Sequence, residues 1–78
     1  MSSVAEIVIE VIAEKMGVPK EDVKPEAHLV NDLNVDSLDQ ADIVMELEEK
    51  FDMSVSEEEA AKIRTVGDII KYIEQHKS

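Results

Sequence analysis

Apolar residues at the start of the chain recur at the spacing of an amphipathic helix. Ser3 and Glu6 have the spacing of a capping box, so the pattern predicts that a helix begins after Ser3. Gly17 is suited to end that helix, which places its last residue near Met16. Ile9 departs from the periodic stripe and is expected to be partly exposed or to pack beneath the following loop. The core-facing stripe consists of Val4, Ile7, Val8, Val11 and Ile12.

Residues 36–51 predict a longer helix with two apolar stripes. Asp36 is a suitable N-cap, Asp39 places a carboxylate near the positive helix end, and no Gly or Pro interrupts residues 37–51. Placed on a wheel at about 100° per residue, one stripe faces the core and consists of Ile43, Val44, Leu47 and Phe51. The other, called here the docking stripe, lies among carboxylates and consists of Leu38, Ala41 and Met45. A helix that only covers a core needs one stripe, so the second predicts a docking surface for basic partners.

The remaining segments complete an all-α fold. Residues 18–35 contain two prolines and predict a long loop, with one helical turn after Pro19. Ser56 begins a short helix that ends near Ile63, and Thr65 caps a final helix whose last residues, 74–78, are expected to fray. The predicted loop anchors are Val23, Ala27, Leu29, Val30 and Leu33, and the predicted buried face of the final helix is Val66, Ile69, Ile70 and Ile73. The fold class is therefore a small four-helix bundle, with three main helices, one short helix and a long first loop, in one domain spanning residues 1–78.

Composition limits the classes of partner and of chemistry that the chain can have. The 78 residues include 19 acidic and 8 basic ones, giving a net charge of −11, which repels nucleic acid and favours basic protein partners. An alternative explanation of the net charge is that it only aids solubility, but this explanation does not account for a helix with two apolar stripes. With no cysteine, the chain excludes a disulfide framework, and any thiol chemistry must come from an attached group. No signal peptide pattern or membrane-length apolar run is present, so we expect a cytoplasmic protein without membrane insertion.

Ser37 is the first candidate functional residue, because it lies at the N-terminus of the long helix, where unpaired backbone N–H groups can hold a phosphate. It is a poor catalytic nucleophile, since the only histidines are His28, predicted as a surface loop residue, and His76 in the fraying tail. Self-contained catalysis is not expected.

A calcium loop is the second candidate, because Asp32, Asn34 and Asp36 match the opening of an EF-hand. The pattern fails where the loop needs Gly and a bidentate Glu, since those positions hold Ser37 and Ile43. No specific metal site is predicted, although weak binding of divalent cations by clustered carboxylates is compatible with the sequence.

Three runs of residues carry a resemblance to a known family. They are Asp-Leu-Asn-Val-Asp-Ser-Leu-Asp at residues 32–39, Glu-Leu-Glu-Glu-Lys-Phe at 46–51 and Ile-Arg-Thr-Val-Gly-Asp at 63–68. In these runs, and from about residue 4 to residue 73, the chain resembles the acyl carrier proteins. The family usually has Gly where this chain has Asn34, but Asn also tolerates the positive φ that such a turn needs.

The resemblance implies that Ser37 receives a 4'-phosphopantetheine group from coenzyme A and that the thiol of this arm carries acyl groups as thioesters. The implied partners are a phosphopantetheinyl transferase, fatty acid synthesis enzymes and acyltransferases with basic docking surfaces. The resemblance also implies that this chain is a monomeric, non-catalytic carrier. The predicted partner-binding residues are Asp36, Leu38, Asp39, Ala41, Asp42, Met45, Glu46, Glu48, Glu49 and Glu57. The predicted lining of an acyl pocket between the helices is Val30, Ile43, Leu47 and Ile63.

Two alternatives stay open at this point. One is a specialised carrier of the same fold that loads polyketide or amino-acyl groups. The other is a cofactor-free acidic interaction module, which would bind a basic partner equally well after Ser37→Ala.

Overall fold

The computed structural model describes residues 3–76, which form four α-helices and one 3-10 turn. The helices are α1 (Val4–Met16), α2 (Ser37–Phe51), α3 (Glu57–Lys62) and α4 (Val66–His76), and the 3-10 turn is Lys20–Asp22. The all-α prediction is therefore confirmed, including the short third helix and the long first loop.

Helix α1 forms as its capping residues predict. The Glu6 N–H donates to Ser3 Oγ at 3.2 Å, the Ser3 N–H donates to Glu6 Oε1 at 3.3 Å, and Gly17 ends the helix with a φ of 66°. The predicted stripe is buried except for Ile7, which is half-buried like Ile9, and the structure adds Ala13 to the buried set. Both half-buried isoleucines pack against the core, so α1 is covered on more than one side.

The core is aliphatic and lies where α1 packs against α2 and α4. Among the described residues, no aromatic side chain is fully buried. Half-buried Phe51 packs at the edge of this core rather than inside it. The fold measures 30 × 29 × 19 Å along its principal axes. The most deeply buried large residues are Ile12, Leu29, Ile43 and Ile73.

The long loop is held to the core by most of the predicted anchors, but the prediction for Val30 is wrong. Val30 is 54% exposed, whereas Leu29 and Leu33 are buried. The Leu33 N–H donates to the His28 carbonyl at 3.2 Å and the Asn34 N–H to the Val30 carbonyl at 3.2 Å, so this part of the loop is coiled like a helical turn. In such a turn, residues four apart share a face, which leaves Val30 pointing to solvent.

The loop is also tied to the junction between α3 and α4. The Leu29 N–H donates to the Arg64 carbonyl at 2.9 Å, and the Gly67 N–H donates to the Pro25 carbonyl at 2.8 Å. A Cβ atom at Gly67 would lie 3.0 Å from that Pro25 oxygen, so a side chain there would push the loop away. These contacts fix the position from which the chain enters α2.

Helices α3 and α4 begin at the predicted caps. The Glu59 N–H donates to Ser56 Oγ at 3.2 Å, while the Glu59 carboxylate lies 3.8 Å from Lys62 Nζ, so Glu59 pairs along the helix. Among residues 3–76, α3 is a helix that buries none of its side chains fully, in agreement with its weak apolar pattern.

Helix α4 continues to His76, further than the prediction of fraying from residue 74 suggested. The rings of Tyr72 and His76 stack at 4.1 Å, and His76 Nδ1 lies 2.8 Å from the Tyr72 carbonyl oxygen, which supports this last turn. Residues 77 and 78, which the fraying prediction also covered, lie outside the described part of the chain.

Candidate functional site

Ser37 is the first residue of α2 and is exposed. The preceding loop delivers it there: Asn34 adopts the expected positive φ of 59°, and buried Val35 donates its N–H to the Leu29 carbonyl at 2.8 Å. Asp36 then caps the helix, because its Oδ1 accepts the Asp39 N–H at 2.8 Å. The Ser37 hydroxyl is thus presented to solvent beside the first-turn N–H groups, which have no acceptor within the helix.

The docking stripe is exposed as predicted. Leu38 is 78% exposed, Met45 is 58% exposed, and Ala41 between them is also exposed. Among the described residues, Leu38, Met45 and Val30 are the large apolar side chains with this degree of exposure. Two of these three lie on α2 within three turns of Ser37, which gives the face around the serine an apolar centre.

The carboxylates predicted to surround this stripe differ in their contacts. Glu46, Glu49 and Glu57 are exposed, and Asp39 is half-buried near the helix start. The exposed residue Asp36 uses one oxygen for the N-cap described above. These groups give the face around Ser37 a strongly negative edge.

Two other predicted rim residues already have partners within the chain. Glu48 is half-buried, and its Oε2 accepts the Val55 N–H at 2.7 Å, which holds the connector between α2 and α3. Asp42 Oδ2 lies 2.7 Å from Lys15 Nζ, on the last turn of α1. The hydrogen bond and charge of Asp42 raise the pKa of the Lys15 ammonium above its ordinary value, with smaller contributions from Asp39 and Glu46.

A groove of about 500 Å³ runs between α2 and α3 and starts at Ser37. The amide of Gln40 crosses it, because Gln40 Nε2 donates to the Ala60 carbonyl at 3.0 Å. The groove walls include Ala41 and Val44 of α2, Val55 of the connector and Ala61 of α3. A flexible arm attached at Ser37 would have this groove directly beside its anchor.

The interior beneath that groove is nearly full. A void of about 10 Å³ lies between α2, α4 and the segments that flank α3, and its border includes Val44, Leu47, Ile63 and Ile73. That volume holds about one water molecule, so the interior accommodates an acyl chain only after the helices separate. Of the four predicted lining residues, Leu47 and Ile63 border the void, buried Ile43 packs elsewhere in the core and Val30 faces solvent.

The residues that resembled an EF-hand have other tasks. Asp32 Oδ2 accepts the His28 N–H at 2.7 Å, Asn34 supplies the positive φ, and Asp36 caps α2. Half-buried His28 is more than a surface residue, since its Nδ1 accepts the Val30 and Asn31 N–H groups at 3.2 Å each. Over residues 3–76 we found no cluster of side chains arranged to hold a metal ion. Within the same range, no helix has both the length and the apolar character that a membrane span requires.

Sequence reasoning missed three contacts of the site. On the helical wheel Gln40 falls within the core-facing stripe but gives no apolar or charge signal, and the Lys15–Asp42 pair joins residues from different helices. The sequence predicts Glu48 as a rim residue, whereas its carboxylate accepts a backbone N–H of the next connector. A helical wheel gives the face of a residue on its own helix but not the neighbouring element that it meets.

A small carrier domain for a covalently attached group fits this site, since an exposed serine starts α2 beside an apolar stripe and a groove. Comparison with known proteins specifies the class. The sequence profile named "Phosphopantetheine attachment site" matches residues 6–73. An acyl carrier protein of Chlamydia trachomatis serovar L2 is 48% identical over 68 residues, covering 87% of this chain and 88% of the relative.

Solved structures agree with the sequence comparison. A candidate acyl carrier protein from Mycobacterium tuberculosis superposes with a TM-score of 0.87 at 29% identity, covering 94% of this chain and 97% of the other. The acyl carrier protein of Enterococcus faecalis superposes with a TM-score of 0.81 at 32% identity, covering 95% and 94%. The chain therefore belongs to the acyl carrier proteins, the family with a phosphopantetheine attachment site. The cofactor of this family is 4'-phosphopantetheine, and the exposed serine with the adjacent groove fits such a group.

Proposed function

We propose that this chain carries acyl groups as thioesters on a phosphopantetheine arm attached to Ser37 and delivers them to the enzymes of fatty acid synthesis. The observation that carries the proposal is the exposed Ser37 hydroxyl at the first turn of α2, inside a family defined by this attachment. A phosphodiester at Ser37 would place its negative charge at the positive end of the helix, where N–H groups favour it. Without a cysteine in the chain, the arm supplies the only thiol.

The docking face of this proposal consists of the docking stripe and the carboxylates Asp36, Asp39, Asp42, Glu46, Glu49 and Glu57. Its occupant is a basic surface on a transferase, synthase or acyltransferase. Long-range attraction to that surface raises the encounter rate, while partly exposed ion pairs add little to the lifetime of the complex. Fast encounter with weak retention suits a monomeric, non-catalytic shuttle that visits several enzymes. A cytoplasmic location and a single carrier domain over residues 1–78 stay predictions.

Intact-mass spectrometry tests the attachment. The unmodified protein is incubated with coenzyme A, magnesium and a broad-specificity phosphopantetheinyl transferase, beside Ser37→Ala and the control Ser54→Ala. Ser54 is also exposed but lies in the connector before α3. We expect one added phosphopantetheine on the wild type and on Ser54→Ala, and none on Ser37→Ala. An unmodified, folded wild type would favour the cofactor-free interaction module, and addition to Ser37→Ala would disprove the assignment of the residue.

A pocket for the acyl chain is the second part of the proposed function. We propose that a longer acyl chain enters beneath α3 and expands the void beside Leu47 and Ile63, because α3 buries no side chain fully and can move at low cost. Methyl NMR spectra of a series of increasing acyl length should show shifts that grow at Leu47 and Ile63. The exposed Val30 serves as the internal reference, and a series in which only Val30 shifts would refute this route.

A further inference from the structure

The ion pair between Lys15 and Asp42 places a positive charge at the edge of the docking face. Lys15 ends α1, and its Nζ reaches across to Asp42 Oδ2 at 2.7 Å, on the second turn of α2. The two side chains are 37% and 53% exposed, so the pair is accessible from solvent. Lys15 also borders the shallow groove between α1 and α2, together with Met45 of the docking stripe and the carboxylates Glu46 and Glu49.

We propose that Lys15 determines partner specificity by competing with the basic side chains of partner enzymes for Asp42. A partner that places Arg or Lys against Asp42 must first displace the Lys15 ammonium. It must also bring its own positive charge close to Lys15, which repels it. A partner that contacts Glu46 or Asp39 instead leaves the ion pair intact. Lys15 thereby directs basic partners toward Glu46 and Asp39 and away from Asp42. This inference rests on the proposed docking function.

The expected effect is modest because the pair is exposed. Exposed ion pairs contribute up to about 1 kcal/mol, which corresponds to a change of up to about fivefold in an equilibrium or rate constant. Removing Lys15 should therefore lower the KM for a partner that uses Asp42 by about two- to fivefold. The turnover number should stay unchanged, since the Lys15 ammonium binds Asp42 from the last turn of α1, whereas Ser37 lies at the start of α2.

Lys20 provides the matched control. It pairs with Glu10 at 3.5 Å, away from α2, and both side chains are exposed. Lys15→Gln and Lys20→Gln each change the net charge from −11 to −12, so a general gain in attraction appears equally in both variants. Gln is close to Lys in helix propensity, which limits any change in α1 itself.

The experiment measures KM and turnover number for phosphopantetheine loading of wild type, Lys15→Gln, Lys20→Gln, Asp42→Asn and Lys15→Gln/Asp42→Asn at low ionic strength. We expect Lys15→Gln to lower KM more than Lys20→Gln does, and we expect this extra gain to disappear in the Asp42→Asn background. An equal gain in both lysine variants, or a gain that persists without Asp42, would overturn the inference while leaving the carrier function intact. If no variant is loaded, the carrier function fails, and this inference fails with it.

Discussion

Two leucines of α2 allow the same substitution to be made on its two faces. Leu47 lies in the core and is 3% exposed, whereas Leu38 lies on the docking stripe and is 78% exposed. We expect Leu47→Ala to destabilise the fold with little direct effect on docking, and Leu38→Ala to weaken docking with little effect on stability. The pair therefore separates the two roles that the stripes assign to one helix.

The size of each effect follows from burial. Truncating a fully buried Leu to Ala costs about 2–5 kcal/mol, and the void beside Leu47 means that its removal enlarges a cavity. For Leu38, only about a fifth of the residue is covered, so the loss of burial is about 0.5 kcal/mol and the better helix propensity of Ala offsets part of it. A domain of this length has a free energy of unfolding of about 4–12 kcal/mol, so Leu47→Ala removes a large share of it.

Urea denaturation followed by circular dichroism measures the stability of both variants, and the KM for phosphopantetheine loading measures docking. Leu38→Ala should raise KM by about fivefold or more if it is a central contact of the interface. Loading of Leu47→Ala is measured at a temperature where the variant is still folded. Equal destabilisation by the two variants, or unchanged loading of Leu38→Ala, would refute the division of α2 into a core face and a docking face.

Three further perturbations test other contacts. Gln40→Ala removes the bond to the Ala60 carbonyl, so we expect a loss of about 1 kcal/mol and faster amide exchange in α3, and unchanged exchange would contradict its role. The pKa of Asp68 is lowered from 3.8 by the N–H groups of Arg64 and Thr65, so its stabilising effect is present above that value and is lost as the pH falls through the lowered pKa. Asp68→Asn should therefore lower the free energy of unfolding, measured by urea denaturation, by about 1 kcal/mol at neutral pH and not at all in strong acid, whereas an equal loss at both pH values would show that the charge of Asp68 does not stabilise the fold. Moderate salt should raise the melting temperature by screening the net charge of −11, and a flat response would contradict self-repulsion.

Local signals in the sequence predicted the helices well because each start carries its own chemistry. Ser3, Asp36, Ser56 and Thr65 accept first-turn N–H groups at the positions expected from side-chain type and spacing. The two faces of α2 were also predictable, since a helical wheel depends only on order along the chain. Recognition of the Asp-Ser-Leu run then identified Ser37 as the candidate attachment residue.

Contacts between elements were less predictable. The apolar residues of the loop predict a row of buried anchors that includes Val30, whereas the loop coils and turns Val30 outward. His28 has no periodic signal, yet its ring accepts two backbone N–H groups of that turn. Glu48 binds a backbone N–H of the connector and Asp42 binds Lys15 of α1. Neither partner can be inferred from the pattern of residues within α2.

The acidic composition of this carrier carries a cost that its helix termini reduce. A chain with 19 carboxylates repels itself, and its small aliphatic core leaves little stability to spare. Part of that charge lies where helix dipoles favour it, since the first turns of all four described helices contain an acidic residue and the last turns of α1, α2 and α3 each contain a lysine. Asp36, Glu48 and Asp68 accept backbone N–H groups, so these carboxylates stabilise the fold while adding to the negative field. The protein can therefore keep a strongly attractive surface for basic partners because several of its carboxylates also stabilise helix starts and the connector after α2.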